Sequence, residues 1–194
     1  MPIRVEREYR NAEKFDAADG YIVEGYASTY EPYVMFSDGQ NDYSERIDSR
    51  AFENADMSDV IMQYDHEGRV FARQSNGTLE ISTDKRGLKI RADLSKTEGS
   101  RQLYEDIKAG MITQMSFAFT VDSDHYEKET RTRVIDSIKR VYDVSAVSIP
   151  ANPGTEISAR DYFNGVIEME RAERLAVEID VRKRKVLKLM LEVN

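Results

Sequence analysis

With two histidines and no cysteine, the 194-residue chain has few side chains fit for nucleophilic chemistry. The lack of thiols removes cysteine nucleophiles, thiolate zinc sites and disulfides together. A serine hydroxyl becomes a useful nucleophile only when a base takes its proton, and histidine is the side chain whose ordinary pKa suits that task near neutrality. His66 stands in QYDHEG, directly after the apolar run VIMQY and before a glycine, so a strand end would project it where loops build sites. Taken alone, a histidine so placed is more often a surface residue. His125 lies in DSDHYEKET and reads as the solvated tip of an acidic hairpin.

Ser116 belongs to MITQMSFAF. Strand alternation puts Met115, Phe117 and Phe119 on one face and Ser116, Ala118 and Thr120 on the other. The bulky face would anchor the strand, and the small face would leave room for an imidazole or a substrate. A serine on the polar side of any strand would look the same. The G-x-S-x-G elbow of the α/β-hydrolases is excluded, because Gln114 and Ala118 occupy its glycine positions. Asp143, in RVYDVSAVSIPANP, is the one acidic residue of an otherwise apolar run. It is either an outward-facing strand residue or a carboxylate that accepts the Nδ1 proton of His66 and stabilises the imidazolium. Asp65 and Glu67 flank the histidine and are expected to point elsewhere. Backbone amides in the turn 150–154, with its two prolines and a glycine, are candidate oxyanion donors. Metal catalysis would need ligands from Asp38, Asp42, Glu45, Asp122 or Asp124. SDGQNDYSE does not follow the Ca²⁺-loop spacing, and there is no H-E-x-x-H, so neither metal nor cofactor is expected.

The elements that must position these groups are strands. Short runs of alternating apolar and polar residues, broken by turn residues, predict strands at Ile3 to Tyr9, Tyr21 to Thr29, Val60 to Tyr64, Thr78 to Ser82 and Leu88 to Leu94. DKRG at 84–87 predicts a hairpin turn with Gly87 at positive φ. QMSFAFTV and RVYDVSAVSI follow, with TRTRVIDS as a hairpin partner between them. That number of strands predicts a closed antiparallel β-barrel, which leaves no exposed edges. A helix is predicted over 97–109, stopped at Gly110, and a short one over Ser49 to Ala55 with Ser49 as N-cap.

After Pro150 the composition turns to linker, and the segment beyond places Ile167, Leu175, Ile179, Val186 and Leu189 on one helical face, with acidic residues early and RKRK late. The expected organisation is therefore a barrel domain at 1–160 and a charged helical tail at 161–194, the tail either packing on the barrel or serving a partner. A hydrophobic content of 40% with 33% charged residues is globular composition, and a net charge of −8 opposes phosphate backbones, so nucleic acid is not an expected partner. No apolar run approaches the roughly 20 residues a membrane span needs, and the N-terminus carries no signal-peptide stretch, which predicts a cytosolic protein.

Together the motifs GYAS, Y-S-E-R-I-D-x-x-A-F, Q-Y-D-H-E-G, a helix ending in AG, M-S-F-A-F and V-Y-D-V-S-A-V-S-I-P-A-N-P resemble the tailed-phage prohead protease family over about residues 20–159. That family looks like the herpesvirus capsid-maturation proteases in fold, an α+β arrangement with a small β-barrel ringed by helices. The resemblance implies His66 as general base, Ser116 as nucleophile and an acidic third residue, placed at Asp143 where the herpesvirus enzymes use a second histidine. It implies cleavage of scaffold segments inside the immature procapsid in the host cytoplasm. The partners would be the major capsid protein and its scaffolding segment, with the portal as a further candidate and self-cleavage in the linker or tail. A homo-oligomer is compatible with it. The contrasting reading is an inactive assembly module of the same fold.

Overall fold

Apolar residues at every second position, rich in aromatic and β-branched types, set most of the strands of the protein, whose computed structural model describes residues 8–12, 16–18, 20–148 and 157–192. The order is β1 (Glu8–Ala12), β2 (Asp16–Ala18), β3 (Ile22–Thr29), β4 (Tyr33–Ser37), β5 (Asp42–Ile47), β6 (Ile61–Tyr64), β7 (Glu67–Arg73), β8 (Leu79–Thr83), β9 (Gly87–Asp93), α1 (Glu98–Lys108), β10 (Gln114–Glu127), β11 (Thr132–Val147) and α2 (Ile157–Glu192). The chain divides into two compact units, residues 1–155 and residues 156–194.

The strands form two open sheets rather than the expected closed antiparallel barrel. A four-stranded sheet runs β2-β3-β9-β8; a seven-stranded sheet runs β1-β10-β11-β5-β4, with β6 joined to β11 and β7 to β6. The cause is the length of β11. It spans 16 residues and pairs along one edge with β10, so its other edge has room for two shorter strands in succession. Residues 132–135 pair with β5 and residues 143–146 with β6, both in parallel. Apolar side chains of both sheets and of α1, among them Val23, Ile90, Leu103, Phe117 and Val144, form one core.

Three smaller expectations also change. TRTRVIDS does pair across a hairpin with β10, through residues 132–137, but it runs on into RVYDVSAVSI as the one strand β11. Ser49 to Ala55 forms successive tight turns, closed by Ala51 N to Asp48 O and Glu53 N to Arg50 O, instead of a helix. Gly87 does close the β8–β9 turn, yet not at positive φ; it is needed because any Cβ there would collide with the backbone carbonyl of Ser28 on β3. Helix α1 starts where predicted, with the Thr97 hydroxyl accepting from Ser100 N. Only residues 8–9 of the strand expected at Ile3 to Tyr9 are described, within β1.

Helix α2 is 36 residues long, and all of 171–186 is exposed. Acid-to-base pairs one turn apart support it there: Arg182 to Glu178 at 2.6 Å and Arg184 to Asp180 at 2.8 Å. Of the apolar face read from the sequence, Ile167 is buried, Leu175, Ile179 and Val186 are exposed, and the side chain of Leu189 lies outside the described residues. No helix among the described residues is long and apolar enough to cross a membrane.

Candidate active site

Register places the candidate residues. Ser116 on β10 faces Ser145 on β11, and Ala118 faces Asp143, so Ser116, Asp143 and Ser145 project to one face of the sheet. Met115, Phe117, Val144 and Ala146 fill the opposite face, toward the core. Asp143 stands diagonal to Ser116, a spacing of roughly 7–8 Å. Ser116 Oγ makes no hydrogen bond among the described residues, so none joins it to the His66 ring. On the far edge of β11, Asp143 pairs with Ile61 and Ala146 with Tyr64 of β6, which ends two residues before His66. His66 Nδ1 lies 2.6 Å from Asp143 Oδ1, and the other ring nitrogen is buried.

The hydroxyl of Ser116 is buried and finds no hydrogen-bond partner among the described residues. Two other buried serines differ: Ser100 donates to Phe71 O at 2.8 Å, and Ser145 donates to Asp143 Oδ1 at 2.7 Å. Leaving a buried polar group unpaired costs about 1–3 kcal/mol, so packing alone does not favour a serine here. Asp143 Oδ1 thus contacts both His66 and the Ser145 hydroxyl. Sequence reasoning passed over Ser145, although a serine two residues after an acid in a strand must share its face.

His66 is held by an unusual turn. Asp65 and His66 form the two-residue link of the β6–β7 hairpin, with Tyr64 paired to Glu67, and both have positive φ, 49° and 60°. That conformation belongs to a type I′ turn, usually built from Asn, Asp or Gly. For a residue other than glycine it costs about 1–3 kcal/mol, least for Asn and Asp. Asp65 offsets this with three contacts to the end of β11: its N–H donates to Ala146 O at 2.9 Å, and its two carboxylate oxygens accept from Ser148 N and Ser148 Oγ, both at 2.8 Å. Asp65 therefore does point away from the imidazole, toward a partner that the sequence does not reveal.

The remaining candidates sit elsewhere. His125 is on the β10–β11 hairpin, nine residues beyond Ser116, or roughly 30 Å at the rise of a strand. Its hydrogen bond to Asp136 raises its pKa above the ordinary imidazole value, with Glu127 adding to the effect. Glu45 is buried in an ion-pair network: Arg10 donates to both its oxygens, Arg133 Nη1 to Oε2 at 3.0 Å and Tyr33 to Oε1 at 2.6 Å, while Arg133 also holds Asp124. Burial pushes the Glu45 carboxyl up, but the guanidinium of Arg10, then Arg133 and Tyr33, hold it below the ordinary carboxylate value. Asp38 caps its own loop by accepting from Gln40 N and Asn41 N. The candidate oxyanion turn 150–154 lies outside the described residues.

A buried alcohol and a His–Asp pair on one sheet face are the side-chain set that an activated serine nucleophile requires. The family model for caudovirus prohead serine proteases matches residues 7–166, and the chain belongs to that family. It is 26% identical over 149 residues to the prohead protease of Enterobacteria phage HK97, an alignment covering 75% of this chain and 62% of the phage protein. The chain thus spans less than two thirds of that relative's length. No solved structure matches the chain.

Proposed function

We propose that the protein is a serine endopeptidase that cleaves scaffold or precursor segments of the capsid during prohead maturation, with Ser116 as nucleophile, His66 as general base and Asp143 as the acid that orients the ring. The observation that carries this reading is the 2.6 Å contact of His66 Nδ1 with Asp143, on the sheet face that also holds the buried Ser116 hydroxyl. With Nδ1–H donated to the carboxylate, Nε2 presents its lone pair to accept the Ser116 proton as Oγ attacks the scissile carbonyl. The imidazolium then protonates the leaving amine, and water repeats the sequence on the acyl-enzyme. The substrates are the major capsid protein's scaffolding segment, the portal as a further candidate, and the chain's own linker or tail, all inside the procapsid in the host cytoplasm.

Co-expression with a capsid precursor tests this. Ser116→Ala and His66→Ala are each expected to abolish processing while circular dichroism stays native, and a fluorophosphonate should label the unaltered chain at Ser116. Full processing by either variant overturns the assignment. A wild-type chain that is unlabelled and cuts nothing even in assembled proheads would make it an inactive assembly module.

A further inference from the structure

We propose that Asp65, which is outside the nucleophile, base and acid, is a positioning residue of the reaction: its carboxylate pins the hairpin turn that aims His66 to the end of β11. The inference rests on the proteolytic reading above, and it explains an expense in the backbone. Two adjacent non-glycine residues, Asp65 and His66, are held at positive φ. Such strain persists only where surrounding structure over-determines it, and it concentrates at functional sites. Here the over-determination is visible. Ala146 O, Ser148 N and Ser148 Oγ bind the main chain and both carboxylate oxygens of Asp65, so every polar atom that residue offers toward β11 is engaged.

The same strand carries Asp143, whose carboxyl meets the His66 ring. The histidine is therefore fixed to β11 twice, through its ring by Asp143 and through its backbone by Asp65. Without the second anchor, a two-residue turn could rotate the imidazole about its bond to Asp143 and carry Nε2 away from Ser116. Misplacement of a reacting group by about 1 Å costs on the order of 100-fold in rate.

The alternative is that Asp65 serves only the fold, and two substitutions at this site separate the cases. Asp65→Gly removes the carboxylate while relieving the strain, because glycine adopts positive φ freely. Asp65→Asn keeps tolerance of the left-handed region and one oxygen to accept from Ser148 N. On a peptide substrate, Asp65→Gly should keep or raise the melting temperature and leave KM unchanged, yet lower kcat by about tenfold to a hundredfold. Asp65→Asn should restore most of that loss. Ser148→Ala should lower kcat less, and combined with Asp65→Gly should add almost nothing, since both remove one interaction. Wild-type kcat in Asp65→Gly, or full additivity with Ser148→Ala, overturns the inference while leaving the protease reading intact. A wild-type chain that neither cleaves nor takes up the fluorophosphonate overturns both.

Discussion

At the scale of single residues, the shared oxygen of Asp143 is the most consequential contact. A carboxylate there would favour the Nδ1–H tautomer of His66, so Asp143→Asn, which keeps the shape but can present an N–H to Nδ1, should select the wrong tautomer. Activity on a peptide should fall by up to roughly 10⁴-fold in kcat with little change in KM. Ser145→Ala removes the second donor to that oxygen and should cost about 1 kcal/mol of stability, measured by urea unfolding, together with a smaller loss of kcat. His66, Ser116 and Asp143 were legible as candidates because a chain with two histidines and no thiol has so few, and because strand alternation isolates Ser116 and Asp143 among apolar neighbours. Asp65 and Ser145 were not. The partner of Asp65 depends on a left-handed turn that an Asp-His pair does not advertise, and Ser145 acquires meaning only once β10 and β11 are in register.

At the scale of elements, Gly87 shows how a correct turn can have the wrong cause. The DKRG hairpin forms, but its glycine serves the close passage of β9 beside the Ser28 carbonyl, a contact between strands about sixty positions apart in sequence. Gly87→Ala should therefore destabilise the fold by about 1–3 kcal/mol through overpacking, whereas a turn-only role would spare most of that; the urea midpoint decides. Helix α1 was readable from its cap and periodicity. Strands β5 and β7 were missed for opposite reasons: β5 puts a glutamate on its buried side, which breaks the apolar alternation, and β7 is exposed over residues 67–70 and shows none. The supposed helix at 49–55 has a good cap but is too short to propagate against the tight turns that lead from β5 toward β6.

At the scale of the whole molecule, the Glu45 network ties β1, β5, β10 and β11 by charge and β4 through the Tyr33 hydroxyl. Because the folded carboxyl binds its proton less readily than the unfolded one, whose ordinary value is 4.5, this stabilisation is complete above that value and fades as pH falls through the lower folded one. Glu45→Gln should cost about 3–5 kcal/mol at neutral pH by removing the buried charge that Arg10 and Arg133 share, and should flatten the loss of stability toward acid; denaturant midpoints from pH 7 to 3 report both. The barrel expectation failed at this scale because strand count does not reveal that one long strand will share an edge between two short parallel partners. That arrangement also sets a clock. His66 and Asp143 are 77 residues apart, so at a synthesis rate of roughly 5–20 residues per second the imidazole emerges about 4–15 s before its acid. Parallel pairing of the last strand onto β5 and β6 then closes long loops and is slow. Until residue 143 has been made and β11 has docked, a growing chain therefore holds the Ser116 alcohol and the His66 ring without the carboxyl that contacts that ring.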